Sequence, residues 1–270
     1  MRTFVVMTSV RFFCGFGKKL YFCRNFFVMQ KIQITEDGSH TLFSEMAGQT
    51  YHSSHGAVQE SRHIFISQLI GQQSTVNGQQ LMVLEIGFGT GLNALLTAQW
   101  ARENGAIVEF TTIELYPLAE GLYRELNYGS LLGDEELFLQ LHEAEWDAGI
   151  VKVTENFAIK KCKSDIVEWL RNAQCTTNGL EPWRKMYKAQ LFDVVYFDAF
   201  SPDAQPELWT EEVFQNLYAL MKEGGVLTTY CAKGDVRRAM LAAGFKVEKL
   251  QGPPGKRHIL RAVKELRIES

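Results

Sequence analysis

The chain has no Cys-x-x-Cys pair, and its five cysteines, Cys14, Cys23, Cys162, Cys175 and Cys231, are odd in number and widely spaced. That argues against a disulfide framework or a zinc site and suits a reducing cytoplasm. No apolar run approaches the roughly 20 residues of a membrane span. Surplus positive charge is missing as well. The formal net charge is −3, so any nucleic-acid contact has to come from a local basic patch. There is no Gly-Lys-Ser/Thr, which excludes a P-loop, and no internal repeat or low-complexity tract. What remains is an ordinary globular composition, 46% hydrophobic and 22% charged over 270 residues. That length fits one α/β domain with extensions or two small domains.

The first 28 residues mix Phe, Arg, Lys and Cys without period, and Arg11, Lys18, Lys19 and Arg24 interrupt any signal-peptide core. Met29 opens "MQKIQITEDGSHTLF", an ordinary β-structured start. Residues 1–28 therefore read as an extension outside the fold, from an upstream start. Residues 29–78 read as a hairpin and helix segment, and 79–270 as the main domain. Asp37-Gly38 is the hairpin turn signal, "YHSSHGAVQES" reads as a polar loop, Arg62–Ile70 has helical spacing, and "GQQSTVNGQQ" reads as a linker.

Strands and helices then alternate. "LMVLEI", "AIVEFTTIE", "FAIKKCKSD", "QLFDVVYFDAF", "VLTTYC", "FKVEKL" and "RHILRAV" read as seven strands. Helices are expected at "LNALLTAQWARENG", after Pro117, over the acidic 130–150 segment, and at "IVEWLRNA", "TEEVFQNLYALMKEGG" (with Thr210 as cap) and "GDVRRAMLAAG". The last two strands are joined by "QGPPGK", too short for a crossover helix, so they are antiparallel neighbours. The expectation is an α/β fold: a mostly parallel sheet covered on both faces, with one antiparallel strand near its edge.

"LEIGFGTGLNALL" places three glycines, Gly87, Gly89 and Gly91, between the first strand and its helix. A dinucleotide fingerprint needs its third glycine where Leu92 stands, so the pyrophosphate site is incomplete. Glu85 at the strand mouth would repel pyrophosphate but suits a ligand with an ammonium group. Glu114, ending the second strand, can accept both hydroxyls of a ribose. The pocket is thus expected to hold a nucleoside with a cationic, phosphate-free tail, and S-adenosylmethionine is such a molecule. Asp165 fits either the adenine amino group or the N-terminal dipole of the following helix. Asp198 ends the fourth strand at the switch point where ligands collect in open α/β sheets.

"LEIGFGTGLNALL", "YFDAFSPDAQPELWTEEVF", "GGVLTTYCAKGDVRRAMLAAGF" and "GPPGKRHILRA" together resemble the methyltransferase family that completes the wobble-uridine modification of tRNA, called MnmD when free-standing and forming the amino-terminal half of bifunctional MnmC. The likeness runs from about Gln30 to Val263. It implies the class I, Rossmann-like methyltransferase fold, with a seven-stranded, mostly parallel sheet and an antiparallel last strand. It also implies transfer of methyl from S-adenosylmethionine to the amine of 5-aminomethyl-2-thiouridine in the anticodon stem-loop. Carried over by position, Glu85, Gly87, Phe88, Gly89, Gly91 and Asn93 would line the cofactor's methionine end, Glu114 its ribose, and Asp165 and Ile166 its adenine. Asp198 would face the substrate amine, accepting its hydrogen bond and aiming its lone pair, with Phe200 and Pro202 shaping the pocket. No oxidase half follows, so neither FAD nor carboxymethyl removal is expected, nor any metal. One departure is His258, where the family usually has an acid after "GKR".

Positive charge gathers late, at Lys233, Arg237, Arg238, Lys246, Lys249, Lys256, Arg257, His258 and Arg261. Lys256 and Arg257, at a hairpin tip, are the expected tRNA contacts, set against a merely solvated face. Phe88, Phe200 and Trp209 are candidate walls for an extruded base, Trp209 equally a core residue. His52 and His55 lack a third ligand and read as polar loop. The competing functions are an aminopropyltransferase resembling spermidine synthase, a non-catalytic RNA-binding protein and, last, a nicotinamide oxidoreductase.

Overall fold

The computed structural model of the protein describes residues 5–10, 26–70, 80–175 and 191–265. The expected linker at 71–79, and 1–4 and 11–25 of the expected extension, lie outside the described residues. Two sheets form. The smaller is antiparallel and runs β1 (Val5–Val10), β2 (Phe26–Ile34), β3 (His40–Ser44), β4 (Gln49–Thr50) in chain order. Its β2–β3 hairpin turns at Asp37-Gly38: Gly38 takes φ 82°, and Asp37 Oδ1 accepts the Ser39 N–H at 3.0 Å. Within 1–28, Val5–Val10 and Phe26–Val28 form the β1–β2 ladder, part of the small sheet and not of the large one.

The larger sheet contains β5 (Gln80–Ile86), β6 (Ile107–Glu114), β7 (Ile150–Lys152), β8 (Phe157–Lys163), β9 (Phe192–Phe197), β10 (Met221–Thr229), β11 (Lys246–Gln251) and β12 (His258–Val263). Their order is β11-β12-β10-β9-β5-β6-β8-β7. The seven expected strands are all present, and β12 runs antiparallel to both its neighbours. The eighth, β7, pairs antiparallel with the sheet edge through Ile150↔Lys160. Three residues with exposed ends leave no periodicity to read, so this strand exists only because β8 offers it an edge.

Alternation within each strand divides two cores. Leu81 and Val83 of β5 join one cluster, whereas Met82, Leu84 and Ile86 join the other. The same split separates Val194 and Tyr196 from Val195 and Phe197 in β9. Strands buried on both faces read as continuous apolar runs, which is why these were legible. The first face carries the helix Leu92–Asn104 and the helical run from Ala57 to Ile70; the second carries Ile166–Cys175, Glu211–Leu220 and Gly234–Ala242. Thr210 caps the Glu211 helix, its Oγ1 accepting the Val213 N–H at 3.3 Å. No helix among the described residues is long and apolar enough to cross a membrane.

Three local expectations need correction. "GAVQES" is helical from Ala57, not loop. Its N-terminal donor at Gln59 is met by Asp37 Oδ2 from the distant hairpin turn, at 3.0 Å, a cap that local sequence cannot reveal. The run also contains a π-helical turn, Arg62–Ile66, whose Ile64 carbonyl accepts from Thr228 Oγ1 at 3.0 Å. The helix expected after Pro117 breaks into Glu120–Tyr123 and Tyr128–Leu132, while the helix expected to reach Gly225 ends at Leu220, because Met221 pairs with Phe192.

Lys161 is 1% exposed and stands inside the first core. Its Nζ donates to the carbonyls of Leu141, His142 and Ala144 at 3.0, 2.7 and 2.8 Å, closing the helix Glu135–Glu143, and lies 4.5 Å from the Trp146 ring centre. Burial pushes its ammonium down to about 8. Lys161→Met strands those carbonyls, so the urea midpoint is expected to fall by the equivalent of about 2–3 kcal/mol at unchanged slope.

Candidate active site

The carboxyl ends of β5, β6, β8 and β9 meet around a cleft of about 760 Å³, within the range of small-molecule sites. Gly87, Gly89 and Gly91 take φ of 92°, 49° and 75°, the left-handed region that favours glycine. Space as well as backbone demands it. A Cβ on Gly87 would lie 3.0 Å from the Asp198 carbonyl, and one on Gly91 would lie 2.6 Å from His142 Nε2. Thr90 is clamped between two buried imidazoles. Its Oγ1 is 2.8 Å from His52 Nε2, and its carbonyl is 3.1 Å from His142 Nε2. Burial pushes these rings down to about 4 and about 3, so both are neutral at pH 7.

Glu114 braces the turn from the next strand. Its Oε2 accepts the Gly89 N–H at 3.1 Å and its Oε1 the Tyr116 N–H at 2.9 Å. It lines the cleft, and burial holds its carboxyl above the usual range. Glu85 sits behind the turn, fully buried and off the cleft wall, accepting from Thr112 Oγ1 at 2.7 Å. Burial, opposed by the Thr112 bond, pushes it well up, so the acid presented to a ligand at this end is Glu114. Asn93 bridges to the fourth strand by donating to Asp198 Oδ2 at 2.9 Å. Burial and then the charge of Glu60 push the Asp198 carboxyl up to about 8.

The structure thus brings Gly87, Phe88, Gly89, Asn93, Glu114, Ile166, Asp198, Phe200 and Lys256 to one cleft. It does not bring Glu85, Gly91, Asp165, Pro202 or Arg257 to the wall. Asp165 Oδ1 accepts the Glu168 N–H at 3.0 Å, capping its own helix. Phe88 turns its ring away toward His142 and Trp146. Trp209 is core: it is 6% exposed, packs on Phe197 and donates Nε1–H to the Phe200 carbonyl at 2.8 Å, anchoring the proline-framed loop. Arg257 is exposed, whereas Lys256 turns inward to Glu60. Of the basic cluster, Lys233, Arg238, Lys246 and Arg261 pair with Asp203, Asp235, Glu265 and Glu248. His52 and His55 diverge, His55 Nδ1 lying 3.0 Å from Glu36.

Tyr51, Glu60 and Tyr230 were not anticipated. Tyr51 stacks edge-on to Phe200 at 5.0 Å, and both line the cleft. Tyr230 follows β10, so the rule that marked Asp198 and Glu114 at strand carboxyl ends also points to it. Glu60 carries no such signal, because its helix depends on the remote Asp37 cap.

A glycine cradle, a cleft-lining Asn93 whose buried Oδ1 makes no hydrogen bond among the described residues, and an acid at the second strand end fit a nucleoside with a polar, phosphate-free tail. Comparisons with known proteins agree. The model of an S-adenosyl-L-methionine-dependent methyltransferase family matches residues 150–265. The tRNA 5-methylaminomethyl-2-thiouridine biosynthesis bifunctional protein MnmC of Aeromonas salmonicida is 31% identical over 215 residues, covering 76% of this chain and 31% of the relative. The Cupriavidus metallidurans protein of the same name is 30% identical, covering 83% and 32%. The chain therefore spans about a third of the length of these relatives. The crystal structure of MnmC2 from Aquifex aeolicus superposes with TM-score 0.65 at 25% identity, over 88% of this chain and 71% of that one. Spermidine synthase from Thermotoga maritima, at 15% identity and TM-score 0.51, shares the fold alone. The chain belongs to the MnmC/MnmD-like family of S-adenosyl-L-methionine-dependent methyltransferases.

Proposed function

We propose that this chain methylates the amine of 5-aminomethyl-2-thiouridine at the wobble position of tRNA, giving 5-methylaminomethyl-2-thiouridine. The observation that carries the reading is Asp198, a carboxyl at the end of β9 that is held by Asn93 and faces the same cleft as the glycine turn. Bound there, S-adenosylmethionine would supply an electrophilic methyl on a sulfonium. Gly87, Gly89 and Asn93 would hold its methionine end, with Glu85 and Gly91 supporting them from behind. Glu114 would hold its ribose and Ile166 its adenine, while Asp165 caps the helix that carries Ile166. Phe200 shapes the substrate side together with Tyr51, and Pro202 stiffens the loop behind.

An alkyl ammonium has no lone pair, so the reaction requires the neutral amine. Asp198 accepts a hydrogen bond from the amine N–H, aims the lone pair toward the glycine turn and takes the proton. A carboxyl near 8 is matched to proton transfer around neutral pH. The partner proposed is the anticodon stem-loop, approached in the cytoplasm, with exposed Arg257 and the half-buried Arg237 on its phosphates.

The deciding experiment incubates the protein with labelled S-adenosylmethionine and tRNA from cells lacking this methylation, then analyses nucleosides. Label is expected in 5-methylaminomethyl-2-thiouridine; label in no nucleoside ends the reading. Putrescine with the decarboxylated cofactor is expected to give no product. The pH profile follows in sign. Asp198 must be ionised to accept the proton and is protonated below about 8 in the free protein. Hence kcat/KM is expected to fall as pH drops through 8, and Asp198→Asn removes that limb while the amine's own limb stays.

A further inference from the structure

The cleft holds a carboxylate that the proposed transfer does not use. Glu60, on the helix Ala57–Ser61, is 5% exposed. Its Oε2 accepts the Ser53 N–H at 2.7 Å, and its Oε1 lies 2.5 Å from Lys256 Nζ. That Nζ also stands 4.2 Å from the centre of the Tyr230 ring. The Tyr230 hydroxyl donates to the Ala199 carbonyl at 2.9 Å, which fixes the ring beside the residue following Asp198. A carboxylate oxygen and an aromatic face converging on one point form a receptor for a primary ammonium. Lys256 supplies such an ammonium, delivered by the Gly255–Lys256 tip between β11 and β12. As a stability device the pair is weak, because desolvating two charges offsets most of their attraction. As a site, it lies in the same cleft as Asp198, which senses the charges of both Glu60 and Lys256.

We propose that Glu60 and Tyr230 form the docking subsite for the substrate's primary alkylammonium, and that Lys256 is an internal stand-in that withdraws when the substrate arrives. The proposal rests on the methyl-transfer reading and deepens it. Glu60 captures the charged amine, and its first proton passes through Asp198 to solvent: R–NH₃⁺ becomes R–NH₂ with release of H⁺, and Asp198 is again a carboxylate, ready to accept the amine's hydrogen bond and the proton shed after methyl transfer. The displaced Lys256 joins exposed Arg257 at the hairpin tip, where a tRNA phosphate can receive it. While Lys256 occupies the subsite, the apparent affinity for an amine is reduced by the fraction of time the subsite is open.

The test uses the full chain with S-adenosylhomocysteine bound, so that no turnover occurs. Calorimetry measures the affinities of 5-aminomethyl-2-thiouridine and of 2-thiouridine, which lacks the amine. Lys256→Met is expected to tighten the aminomethyl nucleoside about tenfold. Glu60→Gln, which keeps the acceptor for Ser53, is expected to weaken it by about the same factor. Neither variant should alter 2-thiouridine binding. If Glu60→Gln does not fold, the Lys256→Met arm decides alone. Unchanged aminomethyl affinity in the folded variants, with the unsubstituted protein methylating aminomethyl-tRNA, overturns the subsite and leaves the function standing. An unsubstituted protein that methylates no tRNA removes the functional reading, and the subsite with it.

Discussion

Asp198→Asn is expected to lower kcat for methyl transfer by about 10²–10⁴-fold, while S-adenosylmethionine binds within about threefold of its normal affinity. Asparagine fills the same volume and can still accept from Asn93 through its carbonyl oxygen, now bonded at 2.9 Å to Asp198. The other arm then becomes an NH₂ group, a donor facing an amine that must itself donate. Both the aim of the lone pair and the proton acceptor are lost. Asp198→Glu separates the two roles, because it keeps the acid but moves it by about one methylene. A misplacement of about 1 Å costs roughly 10²-fold when orientation dominates, so the glutamate variant is expected to lose nearly as much as the asparagine one. Single-turnover rates with calorimetric cofactor binding check this. A folded, cofactor-binding asparagine variant at full rate would remove Asp198 from the mechanism.

The largest expected effect on stability is at Gly91. Alanine there must hold φ 75°, at a backbone cost of about 1–2 kcal/mol. Its Cβ would also stand 2.6 Å from His142 Nε2. That ring cannot step aside freely: it stacks on Tyr123 at 4.3 Å, meets Phe138 at 4.7 Å and bonds the Thr90 carbonyl. Overpacking of this kind adds about 1–3 kcal/mol. The sum, about 2–5 kcal/mol, lowers Tm by roughly 5–15 °C in a chain of this size. Gly105→Ala is the matched control, since Gly105 has φ 62° but nothing within 4 Å of its would-be Cβ. It should cost only the backbone share. Thermal melts giving both variants the same Tm would mean that His142 exerts no steric hold on the turn.

The central strands β5 and β9 were legible because parallel strands buried on both faces must be almost wholly apolar, and "LMVLEI" and "FDVVYF" carry one acid each. The antiparallel placement of β12 was legible from loop length alone, since "QGPPGK" cannot cross the sheet. Gly87, Gly89, Glu114 and Asp198 could be assigned to one cleft because strand carboxyl ends are brought together by topology, whatever the side chains do. Other features were not legible, for physical reasons that recur. Asp37 caps a helix 22 residues away, so the start of that helix and the position of Glu60 depend on a contact absent from local sequence. Lys256 reads as a surface charge until Glu60 and Tyr230 turn it inward. Trp209, balanced between wall and core, is decided by its bond to the Phe200 carbonyl and its packing on Phe197.

Periodicity and glycine spacing by themselves determined the α/β fold class and the place of the cleft, because these depend on backbone geometry and on which residues can be buried; of the two acids that pointed to the ligand, Glu114 lines the cleft and Glu85 lies behind it. Tertiary structure alone decided which charged groups share that cleft and which neutralise each other on the surface. An ion pair depends on distances of a few ångströms between segments far apart in the chain, and no local pattern encodes those.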